Sequence, residues 1–316
     1  MWARVGIHCD FFEALRLRLV CAAAREGVWV GMRTMMKELN ISYGVKLTGA
    51  VPPELGQFVA LETVWLSGHH QLTGTVPPEL GQCVALKMLF LHNNQLMGVV
   101  PPALGQLTAL TVLYLSQNQL TGAVPAALGQ LAALVSLNLA NNRLTGEVPA
   151  ELRLLASLTL LDLSSNRLTG ALPPALGQLT VLTDMNLSNN RLPGTVPSAL
   201  GLLTALGTLQ LGNNMLTGAV PTELGQLVAL SIVCLDDNLL TGALPSALGN
   251  LSELMVGSFG SNSLTRVLSR LGHLPALVVL NFSDNPRLMS LPASIWQLFN
   301  RDVNVVLDSG VGITVE

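Results

Sequence analysis

Residues 110–133 read LTVLYLSQNQLTGAVPAALGQLAA, and this arrangement of leucine, asparagine, glycine and proline returns every 24 residues along most of the 316-residue chain. A fixed period of this length predicts a repeat architecture. The LTGAVP block or a close relative begins at Leu47, Leu72, Leu96, Leu120, Leu144, Leu168, Leu192, Leu216 and Leu240, and it degenerates at Leu264 and Leu288. The sequence therefore predicts about eleven stacked coils.

Ahead of each block the leucines alternate, as at Leu113 and Leu115, which predicts a short strand. Each coil supplies five or six apolar side chains that gain roughly 1.5 to 3 kcal/mol each on burial. Ordering its 24 residues costs about 1 to 2 kcal/mol per residue, so a single coil is unstable. Stacked coils cover each other's apolar edges and give a parallel sheet with strands ~4.8 Å apart. The Asn that follows each strand is predicted to bond backbone groups at the turn.

The complete pattern, LxxLxLxxNxLTGxVPxxLGQL, resembles the plant-type leucine-rich repeats of receptor-kinase ectodomains, receptor-like proteins and polygalacturonase-inhibitor proteins. The resemblance implies an α/β repeat solenoid, a right-handed horseshoe or superhelix with a concave parallel β-sheet. It also implies a non-catalytic module, without cofactors, that binds a protein, peptide or other ligand on the concave face in receptor-type signalling or defence. A membrane-anchored co-receptor is a further partner that the resemblance implies.

The chain is expected to have an N-terminal cap region with a helix, a solenoid and a C-terminal flank, over residues 1–35, 36–298 and 299–316. Asp10, Glu13 and Gly27 predict the bounds of the cap helix over residues 10–26. Residues 303–307 alternate weakly and are expected to close the sheet edge.

The family resemblance implies an extracellular or cell-surface location. Arg16 and Arg18 interrupt the apolar segment that a secretory signal requires, and Gly27 and Thr34 stand where the cysteines of the family's cap motif would fall. An intracellular scaffold or adaptor for protein–protein interaction is therefore the alternative. Sequons for N-glycosylation occur at Asn40, Asn186, Asn250 and Asn281.

Other function classes find little support. Charged residues make up 11% of the chain and the net charge is −3, so no basic surface for nucleic acid is predicted. The uncharged stretch 192–222 contains glycines and prolines, and no transmembrane segment is expected. His69, His70 and His92 lack the partners of a metal site and are predicted to lie at loop tips. No catalytic set is predicted either.

The residue between the two strand leucines must point away from the core, so one outward column can be read from the sequence. Trp65, Phe90 and Tyr114 stand in this column on adjacent coils, with Met88 and Val112 beside them. We expect these five residues to form a neutral aromatic patch that binds ligand. The alternative is that the large side chains only stabilise the sheet by cross-strand packing.

The outward columns become polar farther along the chain, where they are predicted to hydrogen-bond a ligand. The polar residues are Asn138, Asp162, Asp184, Asn186 and Gln210. A basic row at one edge consists of Arg143, Arg167 and Arg191. The row favours an acidic or sulfated partner, whereas an ordinary solvated surface is the alternative for both groups.

Overall fold

The computed structural model describes residues 9–10, 36–41, 47–267, 269–308 and 311–314. The chain divides into two compact units, Met1–Thr145 and Gly146–Glu316. Both units are built from three-residue parallel strands of a main sheet, from a second set of short strands, and from 3-10 helices. The predicted cap helix lies outside the described residues except for Asp10, which belongs to a two-residue strand.

In the first unit the strands of the main sheet are Glu38–Asn40, Thr63–Trp65, Met88–Phe90, Val112–Tyr114 and Ser136–Asn138. The strands of the second set are Cys9–Asp10, Leu47–Ala50, Leu72–Thr73, Met97–Val99 and Gln119–Thr121. Neighbouring coils pair in parallel, and equivalent residues of successive main-sheet strands face each other.

In the second unit the main-sheet strands are Leu160–Asp162, Asp184–Asn186, Thr208–Gln210, Ile232–Cys234, Val256–Ser258, Val279–Asn281 and Asn304–Val306. The second set comprises Pro193–Thr195, Met215–Gly218, Leu239–Ala243, Ser263–Arg266, Ser290–Pro292 and Gly312–Thr314. The last main-sheet strand pairs with Val279–Asn281, which confirms the prediction that the tail closes the sheet edge.

Between the LTG segment of one coil and the main-sheet strand of the next, the chain turns in 3-10 helices. In the first unit they are Pro53–Gln57, Pro78–Gln82, Pro102–Gln106 and Ala126–Gln130. In the second unit they are Ala150–Leu154, Pro174–Gln178, Ser198–Leu202, Thr222–Gln226, Ser246–Asn250, Ser269–His273 and Ala293–Ile295, followed by the α-helix Trp296–Phe299. The helical part of the expected α/β fold is thus mostly 3-10, because only a few residues of each coil are available to turn the chain.

Alternation within each strand separates core from surface. Leu113 and Leu115 are fully buried, while Tyr114 between them is partly exposed. In the LTG segments Gly122 has φ +74°, and a Cβ atom there would lie 2.8 Å from Val99 Cγ1. Glycine is therefore required both by the backbone conformation and by the contact with the preceding coil.

The asparagine column is structural, as predicted. Asn118 is buried, and its Nδ2 donates to the carbonyl oxygens of Leu91 in the preceding coil and Leu115 in its own coil, at 3.0 and 3.1 Å. Its Oδ1 accepts from the backbone N–H of Leu96 at 2.9 Å. One side chain thus joins two successive coils.

The second and the tenth coil depart from the regular repeat. In the second coil His69 is buried at the place of the asparagine, and the extra residue His70 has φ 57°. In the tenth coil Gly257 replaces a strand leucine, and the ring of Phe259 lies 3.0 Å from where a Cβ would stand. Phe259 stacks on Phe282 with ring centroids 5.8 Å apart, so aromatic rings fill the volume that the missing leucine leaves.

Candidate functional site

The first unit carries a contiguous group of aromatic side chains on the outer face of its main sheet. Trp65, Phe90 and Tyr114 are in register on three adjacent strands, and all three are partly exposed. The ring centroids of Trp65 and Phe90 are 4.6 Å apart, and those of Phe90 and Tyr114 are 5.5 Å apart. The rings therefore touch, as the predicted column requires.

A fourth ring, that of His92, belongs to the same group. Its centroid lies 6.1 Å from that of Phe90 and 5.9 Å from that of Tyr114, in edge-to-face geometry with both. The prediction that the histidines lie at loop tips is wrong for His92 and for the buried His69. His92 follows Phe90 by two residues, so the side-chain alternation continued past the strand could have identified it. We call Trp65, Phe90, His92 and Tyr114 the aromatic cluster.

Several shielded polar atoms lie at this cluster. Within the described part of the chain, Trp65 Nε1, Ser67 Oγ and His92 Nδ1 are buried and have no hydrogen-bond partner. Leaving such an atom unpaired costs about 1 to 3 kcal/mol, and native proteins contain few of them. Three such atoms in neighbouring side chains indicate a site where the protein alone leaves hydrogen-bonding groups unpaired.

Ser67 and His92 occupy equivalent positions of adjacent coils. The backbone N–H of Leu66 donates to the Phe90 carbonyl at 2.9 Å, and that of Gly68 donates to the His92 carbonyl at 3.0 Å. Burial lowers the pKa of His92 below its ordinary value, so the imidazole is neutral at pH 7. The cluster is therefore uncharged.

The surroundings of the cluster are apolar on the strands of Phe90 and Tyr114, whereas charged side chains lie on the strand next to Trp65 and at the strand entries. Met88 and Val112 are partly exposed beside the rings, and Tyr114 Oη lies 3.0 Å from Ser136 Oγ. Residues 88–142 contain no Asp, Glu, Lys or Arg. Exposed Glu38 lies on the strand that pairs with the strand of Trp65, and its Oε1 accepts from Asn40 Nδ2 at 3.3 Å. The other nearby charged side chains precede the strands and pair with each other.

This charged group is an ion triad across three coils. Glu62 lies between Lys37 and Lys87, with N···O distances of 2.9 and 2.7 Å. Hydrogen bonds from Lys87 and then Lys37 lower the pKa of Glu62 to about 2. Two lysines and one glutamate give the triad a net charge of +1, which the Glu38 carboxylate on the first main-sheet strand balances.

Most polar side chains of the outward columns form hydrogen bonds to residues one or two positions away in the sequence. Asp162 Oδ1 accepts from the backbone N–H and the hydroxyl of Ser164 at 3.0 and 2.7 Å, and Asn186 Oδ1 bonds Ser188 in the same way. Asn138 Oδ1 accepts from the Ala140 N–H at 3.0 Å, and Asp184 accepts from Thr183. Gln210 has no side-chain hydrogen bond to the described residues. These bonds end the strands, which supports a structural role, and ligand binding by these residues stays a prediction.

The basic row is divided between the units. Arg143 belongs to the first unit, whereas Arg167 and Arg191 belong to the second. All three side chains are exposed, and none forms a salt bridge with another described residue. Exposed cations of this kind contribute little unless a charged partner arrives, so the row also stays a prediction.

The described residues give no support for thiol chemistry, metal binding or a membrane-spanning helix. Cys83 is buried, its thiol donates to the Leu55 carbonyl at 3.3 Å, and burial raises its pKa to about 11. Burial, and next the nearby Asp236 carboxylate, raise the pKa of Cys234. Among these residues no group of three or more His, Cys, Asp or Glu is arranged to hold a metal ion. None of their helices has the length and hydrophobicity that a membrane crossing needs.

Family models agree with the repeat pattern. A leucine rich repeat model matches residues 84–144, and a second leucine rich repeat model matches residues 157–179 and 181–203. Comparison with curated protein sequences yields no significant match.

Solved structures of plant proteins are similar to the chain. The plant peptide hormone receptor RGFR1 in complex with RGF2 is 31% identical over 83% of this chain and 42% of its own, with a TM-score of 0.79. The Arabidopsis receptor kinase HAESA, in complex with the peptide hormone IDA and the co-receptor SERK1, is 31% identical over 81% and 50%, with a TM-score of 0.65. A plant ice-binding protein is 31% identical over 72% and 73%, with a TM-score of 0.62. The chain thus spans half or less of the length of these two receptors.

Proposed function

Because the chain belongs to the leucine-rich-repeat family and has repeats of the plant type, we propose that it is a non-catalytic recognition module. It binds a peptide or a peptide segment of a protein on the outer face of the main sheet, in receptor-type signalling or defence. The aromatic cluster is the observation that carries this proposal, because its touching, partly exposed and uncharged rings form a ready contact surface. The similar receptors whose structures contain peptide hormones support it.

Cross-strand packing alone explains the cluster less well. Packing of aromatic pairs stabilises a sheet by about 0.2 to 1 kcal/mol per pair. The three unpaired polar atoms at the same place cost about 1 to 3 kcal/mol each, which outweighs that gain. A group that lowers stability is expected where function requires it. Tryptophan and tyrosine also provide large contact areas with few rotatable bonds, as binding hot spots require.

The test uses peptides selected from a phage-displayed library on the immobilised full-length chain. Replacing Trp65, Phe90 and Tyr114 together by alanine is expected to abolish their binding. Cooperative unfolding of the variant, measured by circular dichroism, shows that it still folds. The matched control replaces Cys234, Ser258 and Asn281, at the same repeat position on three adjacent strands of the second unit, and is expected to retain binding. Retained binding by the aromatic variant would remove the cluster as the binding site.

An intracellular scaffold remains the alternative, and it would use the same face. The two settings differ in whether the chain enters the secretory route. Asn40 and Asn250 are exposed and lie in sequons, so secretion of the full chain from eukaryotic cells should glycosylate them. A shift in mass on endoglycosidase treatment would support the receptor setting, and an unglycosylated cytosolic product would support the scaffold. A co-receptor partner is part of the receptor proposal.

A further inference from the structure

Resting on the proposed function, we propose that Trp65, Ser67, Phe90 and His92 form a subsite for one uncharged residue of a peptide ligand. The apolar or aromatic side chain of that residue packs on the rings. Its backbone carbonyl oxygen accepts hydrogen bonds from Trp65 Nε1 and Ser67 Oγ. We call these four residues the subsite.

Placement of the four side chains supports this assignment. Trp65 and Phe90 are paired across neighbouring strands, and Ser67 and His92 follow them by two residues on the same two coils. Three rings and one hydroxyl therefore lie on two adjacent coils, with apolar and hydrogen-bonding groups close together. A peptide residue presents the same combination of an apolar side chain and an adjacent carbonyl.

The unpaired atoms define what the ligand must supply. Trp65 Nε1 can only donate a hydrogen bond, and the Ser67 hydroxyl can donate as well. Both atoms lie within the described part of the chain, are shielded from solvent and have no partner. A ligand carbonyl that displaces the groups shielding them would pair two donors that the free protein leaves unpaired.

Charge restricts the side chain that can enter. The cluster is uncharged, and residues 88–142 carry no Asp, Glu, Lys or Arg. Lys37, Lys87, Glu62 and Glu38 beside the cluster together carry no net charge. A lysine or aspartate side chain over the rings would lose water next to a group whose charges already balance, which disfavours charged residues.

Ring orientation favours a peptide over a sugar chain. The Trp65 and Phe90 planes are inclined at 38°, and the Phe90 and Tyr114 planes at 81°. The C–H face of a pyranose chair stacks best on an exposed aromatic plane, and along a sugar chain these mutually inclined rings provide no continuous platform. Inclined rings leave an angular surface that an apolar side chain fills by contact with both faces and edges.

The test observes the indole N–H of Trp65 directly by NMR in the ¹⁵N-labelled full-length chain. The sequence has four tryptophans, and Trp65→Phe assigns the resonance by its disappearance. The probes are the N-acetyl N-methylamides of phenylalanine, leucine, lysine and aspartate, with cellohexaose as a carbohydrate. Saturable shifts of the Trp65 resonance are expected with phenylalanine and leucine amides only. Ser67→Ala should weaken their binding about threefold to tenfold.

Ser188→Ala is the matched control, because Ser188 holds the same repeat position in the second unit and should leave the affinity unchanged. Equal binding of the lysine or aspartate amide, a shift with cellohexaose only, or no shift at all would overturn the subsite. Library peptides that bind the chain but are insensitive to both Trp65→Phe and Ser67→Ala would overturn it while the proposed function stands. A chain that selects no peptide fails the proposed function itself.

Discussion

Replacing Asn118 by alanine is expected to destabilise the first unit by about 2 to 3 kcal/mol. The three carbonyls that accept from Asn118 Nδ2 each keep another donor: Leu91 O keeps Asn94 Nδ2, Leu115 O keeps Asn142 Nδ2, and Ser116 O keeps the Asn93 N–H. The Leu96 N–H, by contrast, loses its acceptor, the Asn118 Oδ1 atom 2.9 Å away. A buried N–H without a partner costs about 1 to 3 kcal/mol, so this one atom dominates the loss.

Asn94→Ala is the matched control. Asn94 is as buried as Asn118, and its Nδ2 also donates to three carbonyls. Its Oδ1, however, accepts no hydrogen bond from any residue that the structure describes. No amide loses an acceptor in this variant, and carbonyl oxygens tolerate a missing partner better than N–H groups do. We expect its cost to be about 1 kcal/mol smaller.

Hydrogen exchange measures this difference at the responsible atom. Stability in a repeat protein is close to a sum over neighbouring coils, so the exchange rate of the Leu96 amide reports the local loss more directly than global unfolding. A loss of 2 to 3 kcal/mol corresponds to roughly 30- to 150-fold faster exchange in Asn118→Ala. Urea unfolding followed by circular dichroism gives the global value. Unchanged Leu96 exchange, or a larger loss in Asn94→Ala, would refute the reasoning.

Three further predictions concern a histidine, a glycine and a carboxylate. Burial lowers the pKa of His92, so its contribution to stability is complete above about pH 6.5, the unfolded value, and is lost as the pH falls through the lower folded value. Thermal unfolding of wild type and His92→Phe between pH 7.5 and 5 should show a smaller decline in the variant, and parallel declines would contradict this. Gly122→Ala should cost about 1 to 3 kcal/mol in urea unfolding, because φ is +74° and the new Cβ would lie 2.8 Å from Val99 Cγ1. Gly207→Ala, whose Cβ would meet nothing closer than 3.6 Å, should cost much less, and equal losses would argue against the contact. Glu62 has a pKa of about 2, so its ion pairs stabilise the fold above the ordinary value of 4.5, and this contribution declines as the pH falls towards 2. Glu62→Gln should remove that part of the acid dependence, and an unchanged profile would count against the triad.

Periodicity predicted the main sheet because burial requires it. Each strand buries the residues on either side of one outward position. The column of Trp65, Phe90 and Tyr114 could therefore be predicted from the sequence alone. The asparagine column was equally accessible, since a buried amide at a turn needs backbone partners. Side-chain alternation along a strand and the need to pair buried polar groups can both be predicted from the sequence.

The remaining features depend on contacts between coils. The second set of strands and the 3-10 helices follow from how the LTG segment and the proline turn fit their neighbours, as the close approach of Gly122 to Val99 shows. His92 was missed because the outward column was taken only at the position between the two strand leucines, and His92 lies two residues beyond it. The local bonds of Asp162 and Asn186 depend on side-chain rotamers, which a sequence pattern does not specify.

The second coil connects the irregular repeat to the candidate site. An extra residue there, with Gly68 and His70 both at positive φ, places His69 where the residue of the asparagine column would stand. Asn94 in the next coil therefore has an oxygen with no partner among the described residues, and the unpaired atoms of Trp65, Ser67 and His92 lie within the same two coils. If the extra residue were only a defect of a terminal repeat, it would disturb the packing of the core. Val64, Leu66 and Leu89 are nevertheless fully buried. The irregularity falls instead on polar atoms beside the aromatic cluster, where a ligand can pair them, and we infer that the second coil departs from the repeat because it helps to build the binding face.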